Sequence, residues 1–241
     1  MFANVEGMRI YYERSDGKGT PVVLMHGWGC SVDVMRRVYD KLSRLDKTVI
    51  AFDFPGFGRS DLPHRAFSVY DYARVAAGLF AALGIEKPDV IAHSFGGRVA
   101  IILASENAVN RVLLAGAAGA KPRFSLVRAF RIASYKFRKR VGMNTDKCGS
   151  SDYRNLDGVM RETFVKVVNE HLDKLFPLVT RPTLLVWGER DRDTPLYMAK
   201  RMNRKIDDSA LVVMKDCGHF AFLDDTAAFT AVASAFFTEE Q

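Results

Sequence analysis

Ser94 sits where two unlike stretches meet. Val90-Ile91-Ala92 is an apolar, β-branched run, and Val99 to Ala104 is helix-forming, with His93-Ser94-Phe95-Gly96-Gly97 between them. This reads as strand, sharp turn and helix, with one serine at the apex. Such an apex strains the backbone by about 1–3 kcal/mol. It tolerates only small residues two positions away on either side, and here these are Ala92 and Gly96. A serine hydroxyl is a weak nucleophile until a base removes its proton, and the base needs a carboxylate to orient it. The alternative for Ser94 is to cap the following helix.

The chain has five histidines. His64 in a polar loop and His171 in a helical stretch read as surface residues. His93 abuts the serine and cannot easily fold back onto it. His26, followed by glycines, reads as shaping a loop. His219 lies in Asp216-Cys217-Gly218-His219-Phe220, after the last strand-like run and before the last helical one, so it is the best base. The loop Gly188-Glu189-Arg190-Asp191-Arg192-Asp193-Thr194-Pro195 offers the carboxylate, with Asp191 preferred and Asp193 in reserve. An acyl intermediate also needs two backbone N–H donors for its oxyanion. Phe95, at the start of a helix, supplies one. Trp28, between Gly27 and Gly29 where the backbone can approach a substrate, supplies the other.

These residues must be carried by a scaffold that brings strand ends together. Met8 to Glu13 reads as a strand, and Gly7 marks a turn before it. Pro21 to Met25 and Thr48 to Phe52 are short apolar runs, the mark of strands buried on both faces; Val90 to Ala92, Arg111 to Ala115, Thr183 to Trp187 and Ala210 to Met214 also read as strands. Helical spacing separates them over Ser31–Leu45, Ser68–Leu83, Tyr197–Ile206 and Asp225–Phe237. The alternation predicts an α/β fold with a mostly parallel, doubly wound sheet of about eight strands. In such sheets ligands bind at the carboxyl ends of the strands.

The alternation lapses between residues 119 and 180. Two helical stretches there, Ser125–Val141 and Tyr153–Leu172, flank a polar joint from Asp146 to Asp152. We read residues 119–180 as a helical cap inserted between core segments 1–118 and 181–241. Cap residues Leu126, Phe130 and Met160, with Trp28 and Phe220, are expected to wall the substrate pocket.

The chain has 241 residues, a formal net charge of +7 and 48% hydrophobic residues, enough for a sizeable core. Between Ala120 and Phe176 there are 13 Lys/Arg against 6 Asp/Glu, so the excess is local. A wholly basic, nucleic-acid-binding surface is therefore not expected. The run Arg128, Arg131, Lys136, Arg138, Lys139, Arg140 suits either a solvated helix face or docking of an acidic carrier protein or a CoA-type phosphate. Three scattered cysteines (Cys30, Cys148, Cys217) lack metal-ligand spacing. No stretch reads as a signal peptide or a transmembrane segment. The expectation is a cytoplasmic protein without a metal or organic cofactor.

In this order, His26-Gly27-Trp28-Gly29, Asp53-Phe54-Pro55-Gly56-Phe57-Gly58-Arg59-Ser60, His93-Ser94-Phe95-Gly96-Gly97, Gly188-x-x-Asp191-x-x-x-Pro195 and Gly218-His219-Phe220 resemble the α/β-hydrolase fold superfamily, in its serine esterase-like branch. The resemblance spans nearly the whole chain and departs at Ala92, where a glycine is usual. The family's acid lies three residues after the Gly and four before the Pro, which selects Asp191 over Asp193. The order Ser, Asp, His also agrees. The resemblance implies a triad of Ser94, Asp191 and His219. A serine in place of the aspartate of dehalogenases and epoxide hydrolases implies attack on an acyl carbon. The expected activity is therefore carboxylic ester hydrolysis of a small molecule. The alternatives are a thioesterase or carrier-linked acyl ester hydrolase, a C–C bond hydrolase, or a ligand receptor with a retained triad.

Overall fold

The computed structural model describes residues 1–123 and 156–238. Eight strands form one sheet: β1 (Phe2–Val5), β2 (Met8–Arg14), β3 (Lys18–Met25), β4 (Lys47–Phe52), β5 (Asp89–His93), β6 (Val112–Ala115), β7 (Thr183–Gly188) and β8 (Ser209–Met214). Their order is β1-β2-β4-β3-β5-β6-β7-β8. β2 pairs antiparallel with β1 and with β4, and every later pairing is parallel.

The unbroken apolar runs follow from this topology. In β3, Val23 and Met25 pack into one hydrophobic cluster while Val22 and Leu24 pack into another on the opposite face; β4 to β7 alternate in the same way. Helices cover both faces, which is why both sides of the central strands must be apolar. On one face lie α2 (Val69–Ala82), α3 (Phe95–Ser105) and α5 (Leu196–Asn203). On the other lie α1 (Arg36–Ser43), α6 (Ala221–Asp224) and α7 (Thr226–Phe236).

Three elements differ from the sequence reading. β1 was not expected; Glu6 and Gly7, with φ of 49° and 79°, close a tight hairpin that returns it onto β2. The stretch Ser31–Leu45 opens with a 3-10 turn, Val32–Met35, capped by the Ser31 hydroxyl, before α1 begins. The short α6 has too few residues to show a period.

Between β6 and β7, α4 runs from Gly158 to Asn169, shorter than the expected Tyr153–Leu172. It is fixed to the core by polar bonds from its middle and its C-terminal end. The Phe67 amide donates to Thr163 Oγ1 (3.0 Å), Lys166 Nζ to Ala66 O (2.9 Å), and the Val69 amide to Glu170 Oε2 (2.9 Å). The two stems meet where the Leu172 amide donates to Gly119 O (2.8 Å) and the Lys121 amide to Asp173 Oδ2 (2.8 Å). The expected helix Ser125–Val141, the joint 146–152, Cys148 and the basic run at 128–140 lie outside the described residues. No helix among the described residues is long and apolar enough to cross a membrane.

Candidate active site

Ser94 is the turn between β5 and α3, with φ 49° and ψ −106°. A side-chain-bearing residue rarely adopts this region, so the surroundings must hold it there. The Ser94 amide donates to Ala115 O (3.1 Å), and its carbonyl accepts from the Gly97 (3.1 Å) and Ala118 (2.9 Å) amides. Close packing adds to this. A Cβ on Gly96 would lie 2.7 Å from Met25 O and 2.8 Å from His26 O, so only glycine lets α3 start this near β3.

His219 follows β8 and Asp191 follows β7. His219 Nδ1–H donates to Asp191 Oδ2 at 2.9 Å, and the two side chains are 12% and 0% exposed. Asp191 Oδ1 accepts from the Asp193 and Thr194 amides, both at 2.9 Å, and Thr194 Oγ1 lies 2.8 Å from Oδ2. Burial alone would raise the Asp191 pKa. The bonds from His219 and Thr194 outweigh it and hold the carboxyl below its ordinary value, so the group stays ionised. Asp193 is exposed and contributes only its amide. His219 Nε2 makes no hydrogen bond among the described residues.

Gly116 brings these pieces to Ser94. It follows Ala115, whose carbonyl holds the Ser94 amide. A Cβ there would come within 3.1 Å of Asp191 Oδ2 and 3.2 Å of His219 Nδ1. His93, adjacent to Ser94, packs against His219 with ring centroids 4.7 Å apart and the planes tilted by 52°. The ends of β5, β6, β7 and β8 therefore converge on one small volume.

The Phe95 and Trp28 amides carry no hydrogen bond among the described residues. The Trp28 ring meets Phe57, Phe95 and Phe164 edge-on, at 4.9, 5.4 and 5.2 Å, which joins the loop after β3 to helix α4. Met160 is buried, and its sulfur lies where a Cβ on Gly56 would stand, 2.4 Å away; it packs α4 onto the loop after β4. Phe220 is half-buried beside His93, centroids 4.7 Å apart. Leu126 and Phe130 lie outside the described residues.

The other histidines separate by their surroundings. His26 is buried, donates from Nδ1 to Gly27 O (2.8 Å) and accepts the Phe54 amide at Nε2 (3.0 Å), which fixes the loop as expected. His64 is exposed, and His171 is half-buried just beyond α4 rather than on it. Sequence reasoning missed Thr194, which braces Asp191, as well as Gly116 and the Phe164 contact. Their roles depend on contacts between distant segments, and no local pattern marks them. Among the described residues, no three His, Cys, Asp or Glu side chains cluster as a metal site would.

A profile of the Alpha/beta hydrolase family matches residues 22–232. The chain belongs to that family. Over 93% of its length this hydrolase is 27% identical to 2-hydroxy-6-oxo-2,4-heptadienoate hydrolase of Pseudomonas putida, covering 91% of that protein. Its fold matches an esterase from Exiguobacterium antarcticum (TM-score 0.80, 22% identity, 98% of this chain and 99% of that one). It also matches a meta-cleavage product hydrolase from Pseudomonas fluorescens IP01 (TM-score 0.77, 24% identity, 98% and 97%).

Proposed function

We propose that the protein is a serine-dependent hydrolase of small carboxylic esters. Ser94 is the nucleophile, His219 the base and Asp191 its orienting acid. The observation that carries this reading is the 2.9 Å bond between His219 and an ionised, fully buried Asp191, beside a serine held at positive φ. His219 Nε2 takes the Ser94 proton as Oγ attacks the acyl carbon. The Nδ1–H bond to Asp191 keeps the base in the required tautomer and stabilises the imidazolium. The oxyanion sits against the Phe95 and Trp28 amides. His219 then protonates the departing alcohol, removes a proton from water, and that hydroxide releases the acid from Ser94. Each oxyanion donor contributes about 10²–10³ in rate. Ser94→Ala should lower hydrolysis of a small aryl ester about a thousandfold or more with the circular dichroism spectrum unchanged; full activity in that variant would remove the assignment.

A second reading is hydrolysis of a carbon–carbon bond in a 2-hydroxy-6-oxo-dienoate, favoured by the likeness to the Pseudomonas putida hydrolase. The same serine, base and oxyanion donors serve it. Comparing kcat/KM for an aryl ester and for such a dienoate separates the two. Faster turnover of the dienoate selects the second.

The carrier-linked or CoA-linked alternative rests on the basic run at 128–140, which lies outside the described residues. Equal, salt-insensitive kcat/KM for one acyl group, free and carrier-linked, would exclude it.

A further inference from the structure

We propose that His93 is a positioning residue for His219: it holds the main chain of the base from behind, tying the loop after β8 to the strand that carries Ser94. This rests on the reading of Ser94, Asp191 and His219 given above.

His93 is 1% exposed and ends β5. Its Nε2 lies 3.1 Å from the His219 carbonyl oxygen. A carbonyl can only accept, so Nε2 carries the proton and Nδ1 is bare. Nδ1 has no hydrogen-bond partner among the described residues. It faces Gly27, where a Cβ would come within 2.8 Å of it and 3.4 Å of Ser94 Cβ. The ring packs against His219, Phe220 and Phe222 with centroids 4.7, 4.7 and 4.9 Å away. One imidazole thus touches the loop that carries the Trp28 amide and the loop that carries the base, and is itself joined in sequence to the nucleophile.

The charge balance agrees with such a role. The titratable groups around His93 are His219 from the loop after β8, Asp191 from the loop after β7 and His26 from the end of β3. Burial, and then the neighbouring His219, push the His93 pKa down to about 3. His93 therefore stays uncharged where the enzyme works, and the imidazolium that forms on His219 meets no second cation. The bare Nδ1 beside a glycine fits a ring retained for its donor and its shape, not for proton transfer.

Two experiments decide the matter. In the unmutated protein, ¹⁵N-labelled histidine spectra taken between about pH 5 and 8.5 should show His93 as the fixed Nε2–H tautomer. It should not titrate over that range. A His93 that titrates there, or that carries its proton on Nδ1, overturns the proposal.

The variants His93→Leu and His93→Gln test the effect on rate. Leucine fills the space without a donor, whereas glutamine places an N–H near the position of Nε2. His93→Leu should lower kcat about tenfold to a hundredfold, with KM within about threefold. His93→Gln should restore most of kcat. Any other pattern, including two variants that fall together, marks His93 as packing and overturns the proposal. If His93→Leu does not fold, the spectra decide alone. They need no substrate, so failure of the Ser94 assignment, read from Ser94→Ala, remains distinguishable.

Discussion

His26 and Asp53, after β3 and β4, are the same two residue types as His219 and Asp191, after β8 and β7, yet the two assemblies are wired differently. Asp53 accepts the Val32 (2.6 Å) and Arg59 (2.8 Å) amides, and both nitrogens of His26 are bound to backbone. Every strong site of that assembly is occupied by the chain itself. In the other, histidine and carboxylate bind each other directly, and His219 Nε2 is left without a partner among the described residues. A saturated buried pair can only hold loops in place, whereas a pair with one nitrogen to spare can accept a proton. The difference lies in what the neighbouring backbone demands, not in the residue types.

The largest expected contrast is between carboxylates. Asp191→Asn should lower kcat by about 10³–10⁴, because the amide favours the wrong tautomer of His219, while the melting temperature changes little. Asp53→Asn should do the reverse, with a stability loss on the order of 3 kcal/mol read from urea unfolding and a much smaller change in kcat. Equal rate losses in the two would break the comparison.

Gly116→Ala is the next largest. The site has φ +52°, and the added methyl would stand 3.1 Å from Asp191 Oδ2 and 3.2 Å from His219 Nδ1. Activity should drop about tenfold to a hundredfold through misplacement of the pair. A variant with full kcat would show that the pair is not tightly placed.

The pH dependence of stability sharpens the contrast further. Burial lowers the pKa of His26 and His93, the latter to about 3. Unfolded histidines bind protons below about pH 6.5. Between these limits the unfolded chain holds more protons than the folded one, so stability rises with pH and falls on acidification. The slope reaches at most about 1.4 kcal/mol per pH unit for each histidine. Asp71 acts in the same direction at lower pH. Burial opposes its ionisation, but Arg65, Ser68 and Arg74 hold its pKa well below the ordinary value. Its contribution is full above the usual carboxylate range and disappears as pH falls through the depressed value. Urea midpoints that stay level from pH 7 to 5 would contradict the assignment of two neutral buried histidines.

The smallest effect belongs to Ser68, which caps α2 in a reciprocal box with Asp71. Ser68→Ala should cost about 1 kcal/mol in thermal unfolding with kcat unchanged, because the cap stabilises the scaffold without touching either histidine assembly.

Much of this was legible in the linear chain, for a physical reason. Strands buried on both faces must be apolar at nearly every position, so Pro21–Met25 and Thr48–Phe52 stood out; Ser94, Asp191 and His219 follow the strand-like runs Val90–Ala92, Thr183–Trp187 and Ala210–Met214. β1 did not stand out, because four residues with Asn4 among them bury only one side chain fully. The 3-10 turn before α1 was hidden because its spacing resembles a helix. The contact of Met160 with Gly56 was hidden too, since helical periodicity says which residues share a face but not what that face meets. Thr194, Gly116 and His93 act through segments distant along the chain. Only the folded sheet brings those contacts together.

The most direct test is covalent labelling with an alkyl fluorophosphonate, followed by intact-mass and peptide analysis. The account predicts one adduct per chain, on Ser94, formed much faster in His26→Gln than in His219→Gln, where it is nearly abolished. An adduct on another residue, or labelling that depends on His26 and not on His219, would contradict it.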